Sequence, residues 1–170
     1  KTLYGVQRYF DGKNVGQSLY RTVMLTDNAY WTPYEYVPER EFNILDYMPY
    51  LPATTSVNTS AAQAFAHRQG VCQDHSHVFI AMCKALGLPA RYVSGYLYVP
   101  NSSHLASHAW AEVFLNQAWY SFDISNQIFT PASHIYVAVG RDYWDVAPVR
   151  GVRQQGGIEN MHSIVQVLAC

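Results

Sequence analysis

The sequence predicts an α+β domain, and two observations carry that prediction. Helical periodicity is concentrated before residue 90, whereas segments rich in Tyr and Val with strand-like patterning follow it. Helices first and strands afterwards favour a mainly antiparallel sheet over alternating βαβ units. With 170 residues, 49% of them hydrophobic, the chain fits one domain, residues 1–170, with a sizeable buried core. No internal repeat or low-complexity tract divides it.

Asp11-Gly12-Lys13-Asn14 reads as a turn between two short strands, and the Pro- and Tyr-rich stretch Tyr30–Pro38 reads as extended chain. Met48-Pro49-Tyr50-Leu51-Pro52 is a connector. Thr59 or Ser60 caps a helix over about Ala61–Arg68, which Gly70 interrupts. A second helix spans 72–86: Phe79, Met82, Cys83 and Leu86 recur at spacings of three and four, and Gly87 with Pro89 supplies the stop. Strands are expected at Arg91–Val99, Ser107–Leu115, Ala118–Ile124 and Ile135–Val139, with a last one near Ser163–Leu168.

Composition removes several classes of function. The formal net charge is −1, and the 11 Lys and Arg residues are scattered, so the basic footprint of a nucleic-acid binder is missing. The longest apolar runs, such as Val78–Cys83, fall far short of the roughly 20 residues a spanning helix needs, so no membrane partner is expected. The opening Lys-Thr-Leu-Tyr has no secretory pattern, and three cysteines do not make a disulfide framework. Cys72 and Cys83, on one helix, lie about 16 Å apart along its axis and do not pair. A reduced, cytoplasmic setting is the expectation.

Cys72 is the residue whose position points to chemistry. Gly70 leads directly into the first turn of its helix, where free backbone N–H groups and the positive end of the helix dipole stabilise a thiolate. The same N–H groups can receive an oxyanion. Positions 72, 76, 79, 83 and 86 share one face, so the sulfur points to the side that the helix buries. A cysteine in an apolar helix is ordinarily a small core residue, a description that fits Cys83.

Asn116-Gln117 separates two strand segments as a two-residue hairpin turn. Pairing Leu115 with Ala118 sets Trp110 opposite Asp123 and makes His108 the diagonal neighbour of that aspartate. Such pairs lie roughly 7–8 Å apart between backbones, within reach of an imidazole and a carboxylate. A four-residue loop would keep this parity, whereas a three- or five-residue loop would put the two side chains on opposite faces. With an even loop, Asp123 holds one ring nitrogen of His108 while the other faces the cysteine. His75 and His77 flank Cys72 without the spacing of a closed tetrahedral metal site. His67, His104, His134 and His162 show no regular ligand pattern, so no metal is expected. No phosphate-cradling loop or dinucleotide fingerprint is present, and no cofactor is expected.

These residues resemble the transglutaminase-like superfamily, in particular its bacterial branch. Gly70-Val71-Cys72-Gln73-Asp74-His75-Ser76-His77 is similar to the nucleophile motif, and Ala85–Tyr96 to the block that follows it. Ser107–Val113 resembles the histidine block, Trp119–Asp123 the aspartate block, and Val139–Gly151 a further stretch of the bacterial branch. The resemblance covers about residues 50–170 and leaves 1–49 as a poorly matched extension. It implies a papain-like α+β core and a Cys72, His108, Asp123 triad that attacks a carboxamide of a protein or peptide substrate through a thioester. Water or a second amine resolves that thioester, and the residues do not choose between them. The chain departs from the branch at His75 and Ser76, where an aromatic and an alanine are usual. In animal members an upstream tryptophan contributes to the oxyanion hole, and the sequence does not decide whether Trp31 or a neighbouring tyrosine does so here. Two other readings keep the same residues: acyl transfer of the arylamine N-acetyltransferase type, and a non-catalytic binding domain that retains the fold.

Overall fold

A computed structural model describes residues 44–98, 107–129 and 132–147, together with 151, 154 and 165. The expected turn at Asp11–Asn14, the extended Tyr30–Pro38 stretch with Trp31, Val99, His104, His162, the strand near Ser163–Leu168 apart from Val165, and Cys170 lie outside the described residues.

Among the described residues three helices precede the sheet: α1 (Ile44–Tyr47), α2 (Ala61–His67) and α3 (Cys72–Ala85). Ser60 caps α2 with a reciprocal box, in which its hydroxyl accepts from the Gln63 N–H and the Gln63 side chain accepts from the Ser60 N–H. The helix ends at His67 because Arg68 takes the left-handed conformation, φ 54°, one residue earlier than the sequence reading and without using Gly70. At the other end of α3, the Gly87 N–H bonds to Lys84 O and the Leu88 N–H to Cys83 O, the two bonds of a Schellman motif. The predicted stop is therefore the observed one.

Strands β1 (Ala90–Leu97), β2 (Ser107–Leu115), β3 (Ala118–Asp123), β4 (Ile128–Phe129) and β5 (His134–Gly140) form one antiparallel sheet in the order β4-β3-β2-β1-β5. A short helix, α4 (Tyr143–Val146), follows, capped by the Asp142 carboxylate. The β2–β3 turn is the expected two-residue loop. Asn116 and Gln117 both have positive φ, 46° and 67°, as a type I′ turn requires, and Leu115 pairs with Ala118. The parity on which the sequence argument rested is thus present.

Alternation along β2 sorts the sheet into two faces. Ala109, Ala111, Val113 and Leu115 join Phe122 and Tyr92 in a core with Val78, Phe79, Met82 and Cys83 of α3, and Phe79 meets Phe122 ring to ring at 5.3 Å. His108, Trp110 and Glu112 alternate with these and lie on the opposite face. More of α3 is buried than the predicted stripe: Val78 and Ile80 join Ser76, Phe79 and Cys83, because α1 and α2 cover its other side. Among the described residues no helix is long and apolar enough to cross a membrane.

Candidate active site

Cys72 is the first residue of α3, half-buried, and its surroundings are fixed by the chain on both sides of it. Asp74 Oδ2 accepts from the Val71 N–H at 2.8 Å and from Thr55 Oγ1 at 2.6 Å, closing the start of the helix. That closure needs a glycine two residues before the cysteine, because a Cβ on Gly70 would stand 2.6 Å from Asp74 Cβ and 2.8 Å from its Oδ2. Tyr50 runs beside Gly70 as a parallel bridge, held by Leu51 N–H to Gly70 O at 2.8 Å. The first intrahelical bond runs from the His75 N–H to Val71 O. It leaves the N–H groups of Cys72, Gln73 and Asp74 outside the helical ladder, and these can meet an anion there.

His108 is the second residue of β2, at the rim of the sheet, where it meets the start of α3. Its Nε2 donates to Asp123 Oδ2 at 2.7 Å, and the Cys72 sulfur lies close enough to the imidazole to raise its pKa. With Nε2 on the carboxylate, Nδ1 is the nitrogen left for the thiol. Burial opposes a charge on this ring. The hydrogen bonds to Asp123 and Cys72 and the negative charge of both outweigh it and hold the imidazole up at about 9. Burial likewise pushes against a charged Asp123, but His108, Asn126 and His134 reverse the effect and keep its carboxyl below the usual range. The structure therefore brings Cys72, His108 and Asp123 together, in that order, from α3, β2 and β3.

Several neighbours were not read from the sequence. Asn126 donates its side-chain N–H to Asp123 Oδ2 at 2.7 Å and its backbone N–H to Oδ1 at 3.1 Å, a local turn whose Asp-to-Asn spacing of three is an available signal. His134, set aside for want of a ligand pattern, puts Nε2 on the same Asp123 oxygen at 2.7 Å, with neither side chain exposed. The donor atoms of His108, Asp123 and His134 all lie within 4.8 Å of one another. Both histidines touch the carboxylate at 2.7 Å, shorter than the roughly 3.3 Å between two donors on a tetrahedral zinc, so they are spaced for hydrogen bonds and not around an ion.

The two histidines beside the cysteine serve as pins. His75 is fully buried, donating Nε2–H to Met48 O and accepting at Nδ1 from Ser125 Oγ, each at 2.9 Å, and burial lowers its pKa. His77 accepts from the Tyr143 N–H at 3.2 Å and packs on Tyr92, tying α4 to α3. Tyr50 and Tyr92 lie near enough to the sulfur that, after burial, its negative charge pushes both phenols up.

An α+β fold of the cysteine-enzyme type, with a cysteine at a helix start against a histidine and an aspartate of an antiparallel sheet, is the class this geometry defines. The family model of the transglutaminase-like superfamily matches residues 26–124, more than half of the chain, and the chain belongs to that superfamily. An uncharacterized protein of Mycobacterium leprae is 34% identical over 126 residues, 71% of this chain and 45% of the relative. One from Mycobacterium tuberculosis is 37% identical over 115 residues, 61% of this chain and 37% of the relative. The chain thus spans less than half the length of these curated relatives. A crystal structure named "Putative Cysteine Protease", from Cytophaga hutchinsonii, superposes with a TM-score of 0.55 at 35% identity, covering 61% of this chain and 35% of that one.

Proposed function

We propose that the protein is a cysteine-dependent enzyme that cleaves or transfers at an amide, a peptide bond or a glutamine carboxamide, through a thioester on Cys72. The observation that carries this reading is the 2.7 Å hydrogen bond from His108 Nε2 to Asp123 Oδ2, on an imidazole close enough to the Cys72 sulfur for the sulfur to raise its pKa. In the first half-reaction the sulfur attacks the carbonyl carbon, and the developing oxyanion meets the free N–H groups at the start of α3. Collapse breaks the C–N bond, and the leaving amine takes its proton from the His108 imidazolium. In the second, His108 removes a proton from water or from a second amine, which attacks the thioester and releases the acid or the new amide with the thiol restored.

Asp123 orients the imidazole and stabilises its charged form, a role supported by its complete burial and depressed carboxyl. The name of the Cytophaga hutchinsonii relative agrees with amide hydrolysis, and superfamily membership is compatible with transfer. The test is an activity screen of wild type against Cys72→Ala on peptide and glutamine-containing substrates, reading release of amine or ammonia with and without an added primary amine. Loss of all turnover in the variant is expected. Turnover that survives the substitution would sink the reading, and formation of acid or of amide from the wild type decides between hydrolysis and transfer.

A further inference from the structure

Asp123 Oδ2 carries two imidazoles, and only one of them touches the cysteine. His108 and His134 each reach this oxygen through Nε2 at 2.7 Å, yet their settings differ. The His108 side chain is 10% exposed and feels the Cys72 sulfur, whereas that of His134 is 0% exposed and its pKa is set by burial, Asp123 and His108. Burial and the charge of His108 lower the His134 pKa against the pull of Asp123, which disfavours a second proton on this ring. A neutral ring donating from Nε2 to a carboxylate keeps its proton there and leaves Nδ1 as an acceptor, toward Ser133 Oγ at 3.4 Å.

The sheet departs from regularity at the place that makes this contact. Between Ser94↔Ala138 and Gly95↔Tyr136 the β1–β5 register shifts, and Val137, 57% exposed, is left without a partner. In unbroken register, with Val137 paired to Gly95, Leu97 would face Ile135, and His134 would fall on the opposite face of the sheet. With the shift, Leu97 faces His134, which joins His108 and Trp110 on one side. A one-residue bulge has therefore re-aimed the histidine onto the carboxylate. The shift also depends on Gly95: a Cβ there would lie 2.0 Å from Ile135 O and 2.6 Å from Trp110 Cη2. Trp110, itself fully buried, meets His134 edge-on at 4.7 Å and stacks against His108 at 6.0 Å, so one indole backs both rings.

From this geometry we infer that His134 is a positioning residue of the same site, a permanent hydrogen-bond donor that fixes Asp123 Oδ2 where His108 can use it. The inference rests on the Cys72, His108, Asp123 reading. A carboxylate that accepted from His108 and Asn126 alone could turn about its Cα–Cβ and Cβ–Cγ bonds as His108 gains and loses its proton. A second donor on Oδ2, buried and held against Trp110, removes that freedom. His134 acts through Asp123 and has no proton to give to substrate.

The experiment compares wild type, His134→Phe and His134→Gln by amide turnover and by iodoacetamide labelling of Cys72, with Cys72→Ala as the control for the underlying reading. Phe keeps the ring against Trp110 and removes the donor; Gln restores an N–H. His134→Phe is expected to lose at least tenfold in kcat and in labelling rate, with KM within threefold, while His134→Gln stays within threefold of wild type. Equal losses in both variants, or none in His134→Phe, overturn the inference and leave the triad standing, whereas wild-type protein no more active than Cys72→Ala removes the triad itself. Imidazole NMR of the wild type decides the matter where His134→Phe does not fold. A neutral His134 protonated at Nε2 is required, and an Nδ1-protonated ring contradicts the role.

Discussion

Cys72 and Cys83 occupy one helix, eleven positions apart by their numbers, and differ in every respect that governs a thiol. Cys72 stands at the first residue of α3, half-buried, beside unbonded N–H groups and a histidine held up at about 9. Cys83 lies three turns on, fully buried among Val78, Phe79 and Met82, with burial pushing its thiol up to about 12. At pH 7 such a thiol is ionised to about one part in 10⁵. The same side chain is thus a nucleophile candidate at one end and a small apolar filler at the other. What differs is the supply of positive charge and donors, not the helix.

Substitutions should separate the two ends. Cys72→Ala is expected to lower turnover by on the order of 10⁴-fold or more while leaving the melting temperature nearly unchanged. Cys83→Ala should do the reverse, costing about 1 kcal/mol of stability with full activity per folded molecule. If both variants lost activity alike, the comparison would break.

Phe79→Ala sharpens the contrast by opening a cavity in the core shared with Phe122. A loss of about 3–5 kcal/mol is expected in urea unfolding, with the labelling rate of Cys72 in the folded protein unchanged. Coupled losses of stability and reactivity would mean that the helix start is not independently braced by Asp74, Thr55 and Tyr50.

The smallest effect concerns pH. His108 is raised from 6.5 to about 9, so its ion-pair contribution to stability is complete below about 6.5 and is lost as pH climbs through 9. Asp123 is depressed, so its contribution is present above the ordinary carboxylate range and is lost on acidification. Turnover that depends on the His108 imidazolium should fall about tenfold per unit above pH 9. A pH–rate profile with an alkaline limb near 6.5 would show that the imidazole is not held by its two partners.

The sequence made parts of this site legible because local rules govern them. The spacing of Phe79, Met82 and Cys83 gave α3, Gly87 gave its end, and Asn116-Gln117 gave a turn whose even length put His108 and Asp123 on one face. His134 stayed hidden because its face depends on Val137 falling out of register opposite Ser94 and Gly95, and no periodicity in β5 announces a bulge. The roles of His75 and His77 were equally hidden, since their partners, Met48, Ser125 and Tyr143, lie 27 or more positions away. Arg68 ending α2 in place of Gly70 belongs to the same class: a glycine nearby was kept for close approach to Asp74, and the left-handed turn fell on its neighbour.

The central claim is that His108 activates the thiol at the start of α3. Its most direct test is the rate of iodoacetamide labelling at pH 7, resolved by peptide mapping, in wild type and His108→Ala. Cys72 is expected to react at least a hundredfold faster than Cys83 and to slow at least tenfold when His108 is replaced. A Cys72 that reacts no faster than a small free thiol, at a rate indifferent to His108, would contradict the account.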